Sequence, residues 1–162
     1  MPLSLNEIHN GNHFEELVGQ YFQQLNGVVN APAIGGDGGI DVIVNFPVRD
    51  QITGAFYERK WIVQCKFINA NIGCREIQTV NIPALIHSRN AVGYLLICKR
   101  SPTTTLTRFF EQLKQNCRFN YCYEVWTGTQ FENRLALKYE LHEQFFPNYW
   151  YEQQQRLINN NI

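Results

Sequence analysis

The stretch that decides the fold is WIVQCKF, residues 61–67. Alternation along a β-strand gives it one apolar face, made of Trp61, Val63, Cys65 and Phe67. Gln64 and Lys66 share the opposite face with Ile62, and they lie roughly 7 Å apart at about 3.3 Å of rise per residue. An amide and an ammonium group are unexpected in the middle of such an apolar strand.

Length and composition indicate one folded domain. The chain has 162 residues, of which 44% are hydrophobic and 14% aromatic, and a disordered chain would be less hydrophobic and more charged. Its 14 Lys and Arg residues balance 14 Asp and Glu residues. The net charge therefore gives no indication of a nucleic-acid partner, although a local basic groove is compatible with a net charge of zero. We expect any non-specific DNA affinity to be modest.

Cysteine usage and hydropathy point to a cytoplasmic protein. The chain has five cysteines and no Cys-x-x-Cys pair, so we expect reduced thiols and neither a zinc site nor disulfides. The first residues, MPLSLNEIHN, lack the basic and apolar regions of a signal peptide. No segment reaches the roughly 20 apolar residues of a membrane span, so no membrane association is expected.

The first predicted element is an amphipathic helix. Its apolar stripe repeats at i, i+3, i+4, i+7, i+8 and i+11 and consists of Phe14, Leu17, Val18, Tyr21, Phe22 and Leu25. We predict Asn12 as its N-cap and Gly27 as its C-terminal stop.

The remaining pattern predicts alternating strands and helices. Strands are expected near residues 40–46, 60–68, 91–99 and 121–126, and helices near 75–88, 103–116 and 129–146. Pro83 should kink or break the first of these helices, and Pro147 should end the last. Residues 47–59 are predicted to be turn-rich, with part of a hairpin. This order predicts an α/β domain over residues 1–147, with a mixed sheet covered by helices on both faces. Residues 148–162 form a polar tail, read as a linker or as the start of a helix leading to a further module.

Three polar features stand out from this scaffold: Asp41 before an apolar strand, Gln64 with Lys66, and Glu15 on the first helix. At roughly 100° per residue, Glu15 borders the apolar stripe, whereas Glu16 lies nearly opposite its centre. Each feature has an ordinary structural interpretation. Asp41 would be a solvated strand-end residue, Lys66 would extend from a sheet edge to water, and Glu15 would complete a capping box begun at residue 12.

Together, these residues suit the hydrolysis of a phosphodiester. That reaction uses a divalent metal held by oxygen ligands and a cation near the nucleophile or the phosphate. The sequence GGDGG (residues 35–39) matches neither a phosphate-binding loop nor a calcium loop, because the required Lys-Ser/Thr and late Glu are absent. The four histidines are dispersed, and we interpret His13 as a surface or capping residue.

Three motifs occur in the order and with the gaps of a known family: FEELVGQYFQQL (14–25), GGDGGIDVIV (35–44) and IVQCKF (62–67). The chain from about residue 10 to residue 126 resembles the Mrr-type branch of the PD-(D/E)xK restriction-endonuclease-like nucleases. In that branch Gln replaces the second acidic residue, giving Asp…Gln-x-Lys. A weaker similarity continues in VWTGTQFENRL (125–135) and HEQFFPNYW (142–150). Residues 47–59 depart from the family by their length and polarity, and we expect a family-specific loop near DNA there.

The resemblance implies a role for each motif residue. Asp41 would be the principal ligand of Mg²⁺, for which Mn²⁺ would substitute. Gln64 would contribute its side-chain oxygen to the metal, joined by the backbone carbonyl of Cys65. Lys66 would orient or deprotonate the attacking water and stabilise charge at the phosphate. Glu15 would complete the site directly or through water.

The implied function is a Mg²⁺-dependent endodeoxyribonuclease, the cleavage effector of a prokaryotic restriction or antiphage defence protein. Its partner would be double-stranded DNA, with target choice delegated to a fused or separate recognition module. Cutting both strands normally needs two active sites, so a homodimer or higher assembly is expected. The alternative is a catalytically silent nucleic-acid-binding or assembly module with the same fold. Within the nuclease class, action on RNA or branched DNA stays open.

Overall fold

The chain folds around a mixed sheet with helices on both faces, as predicted. The sheet has five strands, one of which, Val28–Asn30, was not predicted. The structure is a computed structural model that describes residues 1–30, 39–77 and 81–160. The strands are β1 (Val28–Asn30), β2 (Val42–Arg49), β3 (Phe56–Lys66), β4 (Gly93–Cys98) and β5 (Cys122–Trp126). The helices are α1 (Gly11–Gln24), α2 (Ile82–Ser88), α3 (Thr104–Asn116), α4 (Gly128–Leu135), α5 (His142–Phe145) and α6 (Pro147–Asn160).

The strands lie in the sheet in chain order, β1-β2-β3-β4-β5. The β1–β2 and β2–β3 pairs are antiparallel, whereas β3–β4 and β4–β5 are parallel. Parallel neighbours need long crossovers, which α2 and α3 supply. β3 is therefore the central strand and joins the antiparallel half of the sheet to the parallel half.

Two apolar clusters fill the space between the sheet and its helical layers. One cluster contains Val63 and Cys65 of β3 and is covered by α1, α4 and α5, with Trp61 and Phe67 at its margin. The other contains Ile62 and is covered by α2 and α3. The predicted division of WIVQCKF into two faces is confirmed, and both of its faces are buried against helices.

The predicted N-cap of α1 was wrong by two residues. The side chain of Asn10, rather than Asn12, accepts a hydrogen bond from the His13 N–H, at 2.9 Å. At the other end of α1, Asn26 adopts a positive φ of 64°. The Gly27 N–H donates a hydrogen bond to the Phe22 carbonyl at 3.0 Å, which ends the helix. A Cβ on residue 27 would lie 2.6 Å from Val44 Cγ1, so the glycine is required by close packing against β2.

Two predicted helices have different bounds from those expected. Among the described residues 71–77, a short 3-10 turn (Cys74–Glu76) is the helical segment that precedes α2. Pro83 lies in the first turn of α2, where a missing N–H costs nothing. The predicted helix over residues 129–146 is three separate pieces: α4, a 3-10 turn (Tyr139–Leu141) and α5. Pro147 begins α6 instead of ending the chain's last helix.

Helix α6 occupies most of the predicted polar tail. The Glu7 carboxylate accepts hydrogen bonds from the N–H groups of Asn148 (2.8 Å) and Tyr149 (3.2 Å) and so caps the start of this helix. The division into residues 1–147 and 148–162 stays a prediction. None of the helices in the described ranges is long and apolar enough to cross a membrane.

The polar segment 47–59 is a β-ribbon rather than the expected loop. Residues 47–49 end β2 and residues 56–59 begin β3, so only residues 50–55 turn. The Asp50 carboxylate holds this turn by accepting from the N–H groups of Ile52 (2.8 Å) and Thr53 (2.7 Å). The ribbon points away from the end of the sheet that carries Lys66, because β3 runs from residue 56 to residue 66.

Candidate active site

Asp41 immediately precedes β2 and lies beside the last residues of β3. Its N–H donates to the Val63 carbonyl at 3.0 Å, and its Oδ2 accepts from the Cys65 N–H at 2.6 Å. A charge-assisted bond of this kind fixes the carboxylate against β3. The glycine-rich lead-in, residues 35–38, lies outside the described residues.

The backbone of Cys65 faces Asp41. In an extended strand, the N–H and C=O groups of one residue point to the same side, toward the same neighbouring strand. Since the Cys65 N–H reaches Asp41, its carbonyl points to that side as well. The thiol itself is buried, and burial raises its pKa well above the usual value, with a further contribution from the Asp41 charge. The thiol is therefore inert, and the backbone is the part of this residue available to the site.

Glu15 approaches the same position from α1. It is partly buried, and burial raises the pKa of its carboxyl, with a further increase from the negative charge of Asp41. The negative charge of Asp41 thus makes ionisation of the Glu15 carboxyl less favourable. The alternative role of Glu15 in a capping box is excluded, because the cap is Asn10 and the third helical residue is His13. Glu16 is exposed, as predicted.

Gln64 is buried in the central strand, with only 5% of its surface exposed. Its Oε1 accepts a hydrogen bond from the hydroxyl of Tyr94 on β4. Sequence reasoning did not single out Tyr94, which lies in the apolar run AVGYLLICK. The available signal was its hydroxyl, because a buried tyrosine on a central strand needs a polar partner.

Lys66 is the last residue of β3 and is partly exposed, so its side chain leaves the buried part of the sheet. Its carbonyl accepts the Lys99 N–H at 2.9 Å. The Lys99 ammonium contacts Asn69 Oδ1 at 2.6 Å and lies 4.4 Å from the centre of the Phe67 ring. Two lysines therefore project from neighbouring strand ends.

A polar cavity of about 290 Å³ opens next to these strand ends. It is lined by Lys99 and Arg100, by the start of α4, and by Glu132, whose carboxylate accepts from the Leu5 N–H at 2.8 Å. Lys99 and Arg100 thus place two cations beside the Glu132 carboxylate in this cavity.

The predicted metal ligands are all oxygen atoms, which suit a hard divalent cation. They are the carboxylates of Asp41 and Glu15, the Gln64 amide oxygen and the Cys65 carbonyl. Mg²⁺ prefers such ligands, and two mutually repelling carboxylates are relieved by a cation between them. Within residues 1–30, 39–77 and 81–160, no group of three or more His, Cys, Asp or Glu side chains could hold a metal. The predicted ligands include only two such side chains, Asp41 and Glu15, and the remaining ligands are amide and backbone oxygens, so they agree with this finding.

The histidines and the other cysteines take no part in the site. His13 accepts from the His9 N–H at 3.2 Å and stacks on His9, which matches its predicted capping role. All five cysteines lie within the described residues and are free thiols. Burial raises the pKa of Cys98 to about 12, against the opposing effect of the Lys66 charge.

The raised pKa of Glu15 predicts a pH-dependent stability difference. A carboxyl with a raised folded-state pKa stabilises the fold when protonated, and this contribution is lost as pH rises through that pKa. The Glu15→Gln variant should therefore have a higher Tm than the wild type at neutral pH without metal. Below the usual Glu pKa of about 4.3, the difference should vanish. Thermal unfolding in EDTA at both pH values measures it.

Glu16→Gln is the matched control, since the exposed neighbour lies one residue away on the same helix. Its Tm should follow that of the wild type at both pH values. An equal gain from both substitutions would show that general surface charge, rather than the burial of Glu15 and the charge of Asp41, is responsible.

The fold and the arrangement of its strands define a restriction-endonuclease-like protein. The chain belongs to the Mrr catalytic-domain family, since the family model, described as "Restriction endonuclease", matches residues 7–134. No curated protein matches the sequence significantly. The resemblance stated on the three motifs is confirmed at the level of the family.

Two solved structures share the fold. The DNA modification-dependent restriction endonuclease AspBHI has a TM-score of 0.56 and 15% identity, over 77% of this chain and 30% of that one. The MspJI restriction endonuclease, in complex with a 27-mer oligonucleotide, has a TM-score of 0.52 and 16% identity, over 75% of this chain and 27% of that one. The chain thus spans less than a third of either neighbour.

Proposed function

We propose that this chain is a metal-dependent endodeoxyribonuclease domain that uses Mg²⁺. The observation that carries the proposal is the convergence of Asp41, Glu15 and the Cys65 backbone at the end of the sheet where Gln64 and Lys66 are placed. Family membership supports hydrolysis of DNA, and the oxygen donor set supports a divalent cation.

When bound, Mg²⁺ would polarise the scissile phosphate and lower the pKa of a water molecule. Asp41 would hold the cation with a carboxylate already fixed by the Cys65 N–H. Glu15, which binds a proton more readily than an ordinary glutamate, would supply the second carboxylate. Lys66 would orient or deprotonate the attacking water, or stabilise the negative charge that develops on the phosphate.

We further propose that this domain cleaves DNA selected by another module, as part of a cytoplasmic restriction or antiphage defence protein. The chain corresponds to less than a third of AspBHI or MspJI, and it carries no net charge. Lys99 and Arg100 would then contact backbone phosphates beside Lys66. Cleavage of both DNA strands would require two active sites, so two copies of the domain would act together as a homodimer. The MspJI structure is a complex with an oligonucleotide, which supports a nucleic-acid substrate, and duplex DNA is the substrate that we propose.

A plasmid assay tests the proposed function. The purified chain with Mg²⁺ or Mn²⁺ is expected to convert supercoiled plasmid to nicked or linear DNA, and EDTA should stop the reaction. Duplex, branched and single-stranded DNA and RNA, compared in parallel, identify the preferred substrate. Divalent-metal binding without turnover on any of these substrates would favour the silent nucleic-acid-binding or assembly module instead.

A further inference from the structure

We propose that Tyr94 is a positioning residue, which fixes the orientation of the Gln64 amide and thereby sets the metal affinity of the site. This inference rests on the proposed function and goes beyond it, since nothing in the motif pattern includes a residue of β4. It is carried by the hydrogen bond from the Tyr94 hydroxyl to Gln64 Oε1.

The register of the sheet brings the two side chains together. Tyr94 pairs with Ile62 across the parallel β3–β4 ladder, and Gln64 lies two residues further along β3, on the same face. Both side chains are buried, Tyr94 completely and Gln64 with 5% exposed. Their surroundings are the apolar cluster beneath α2 and α3. A polar pair in such surroundings strongly favours the bonded arrangement, because an unpaired amide or hydroxyl there is costly.

In the structure the hydroxyl donates to Oε1, which leaves that oxygen a second lone pair for a cation. Tyr94 is a donor at neutral pH, because the ordinary tyrosine pKa of about 10 keeps its hydroxyl protonated. Without the hydroxyl, the amide can rotate and present its positively polarised Nε2 in place of the oxygen. A cation would then lose a ligand and meet a repelling group.

The chain offers a close control at Tyr123. This residue is also buried, lies on β5 in the same apolar cluster, and donates its hydroxyl to Cys117 Sγ at 3.0 Å. Tyr123→Phe removes the same atom from the same layer without touching Gln64. Any general effect of removing a buried hydroxyl should therefore appear in both variants.

The test is the affinity of the metal-free protein for Mn²⁺, measured by isothermal titration calorimetry. We expect Tyr94→Phe to raise the Kd about 10-fold, in the range found for residues that orient metal ligands, whereas Tyr123→Phe should stay within about twofold of the wild type. In a Gln64→Ala background, Tyr94→Phe should cause no further loss, because its effect acts through the amide.

An unchanged or lower Kd for Mn²⁺ in Tyr94→Phe would overturn the positioning role, and so would an equal loss of affinity in the wild-type and Gln64→Ala backgrounds. Either result would leave Asp41-dependent metal binding intact. Absence of Asp41-dependent Mn²⁺ binding in the wild type would overturn the proposed function as well. Should Tyr94→Phe fail to fold, solvent exchange of the Tyr94 hydroxyl proton in wild-type NMR spectra decides. A hydroxyl proton protected from exchange supports the bond to Gln64 Oε1, and a hydroxyl proton in free exchange with water contradicts it.

Discussion

Asp41→Asn is expected to abolish plasmid cleavage, with a loss of at least about 100-fold, and to abolish Mn²⁺ binding. The substitution removes the charge that attracts the cation. The asparagine side-chain oxygen can still accept the Cys65 N–H, so the local structure should persist. Because the repulsion of Glu15 also disappears, the variant should unfold at no lower temperature than the wild type. Gel-based cleavage, calorimetry and thermal unfolding measure the three effects.

Asp50→Asn is the matched control for this prediction. Asp50 also accepts backbone hydrogen bonds, at the opposite end of β2. These bonds lower the pKa of its carboxyl, so a charged group is lost there too. Its replacement should leave cleavage unchanged. Full activity in Asp41→Asn, after removal of contaminating nucleases, would contradict the assignment of the site.

Lys66→Met should reduce the cleavage rate by about 100-fold or more while leaving Asp41-dependent metal binding in place. The lysine acts on the water and the phosphate rather than on the cation, so the two measurements should separate. Methionine keeps the length of the side chain and its apolar packing against the end of β3. Single-turnover cleavage with saturating metal gives the rate, and calorimetry gives the affinity.

Lys60→Met supplies the control on the same strand and the same face. Lys60 lies six residues from Lys66, roughly 20 Å away at about 3.3 Å per residue. Its ammonium donates to the Arg89 carbonyl at 3.1 Å. Equal loss of activity in both variants would indicate that total positive charge, rather than the placement of Lys66, governs cleavage.

The sequence predicted the sheet and the motif placement well because both depend on local alternation. The period of two in WIVQCKF (61–67) assigned each side chain of β3 to its correct face, and the helical period separated Glu15 from Glu16. These patterns reflect burial that repeats along one element. The order of strands and helices then predicted a mixed sheet with two helical layers.

The misassigned features depend on contacts between distant residues. A tyrosine in an apolar run looks like ordinary core, and only the parallel β3–β4 register reveals that Tyr94 reaches Gln64. A continuous helical pattern over residues 129–146 hides the turns that let α4 and α5 pack separately on the sheet. At Pro147, the Glu7 carboxylate from the other end of the chain caps the new helix, so the proline is a start rather than a stop.

The two halves of strand β3 differ in how readily they tolerate substitutions and insertions, because one half is exposed and the other is buried. Its first four residues, 56–59, are exposed, whereas residues 62–65 are buried between two helical layers. The exposed half and the turn before it form a ribbon that projects away from the candidate site. Insertions, altered charges or a new binding partner on this ribbon would leave the geometry around Asp41 and Gln64 unchanged. The domain can thus acquire insertions or binding partners at the exposed end of β3, while the other end of this strand carries the candidate active site.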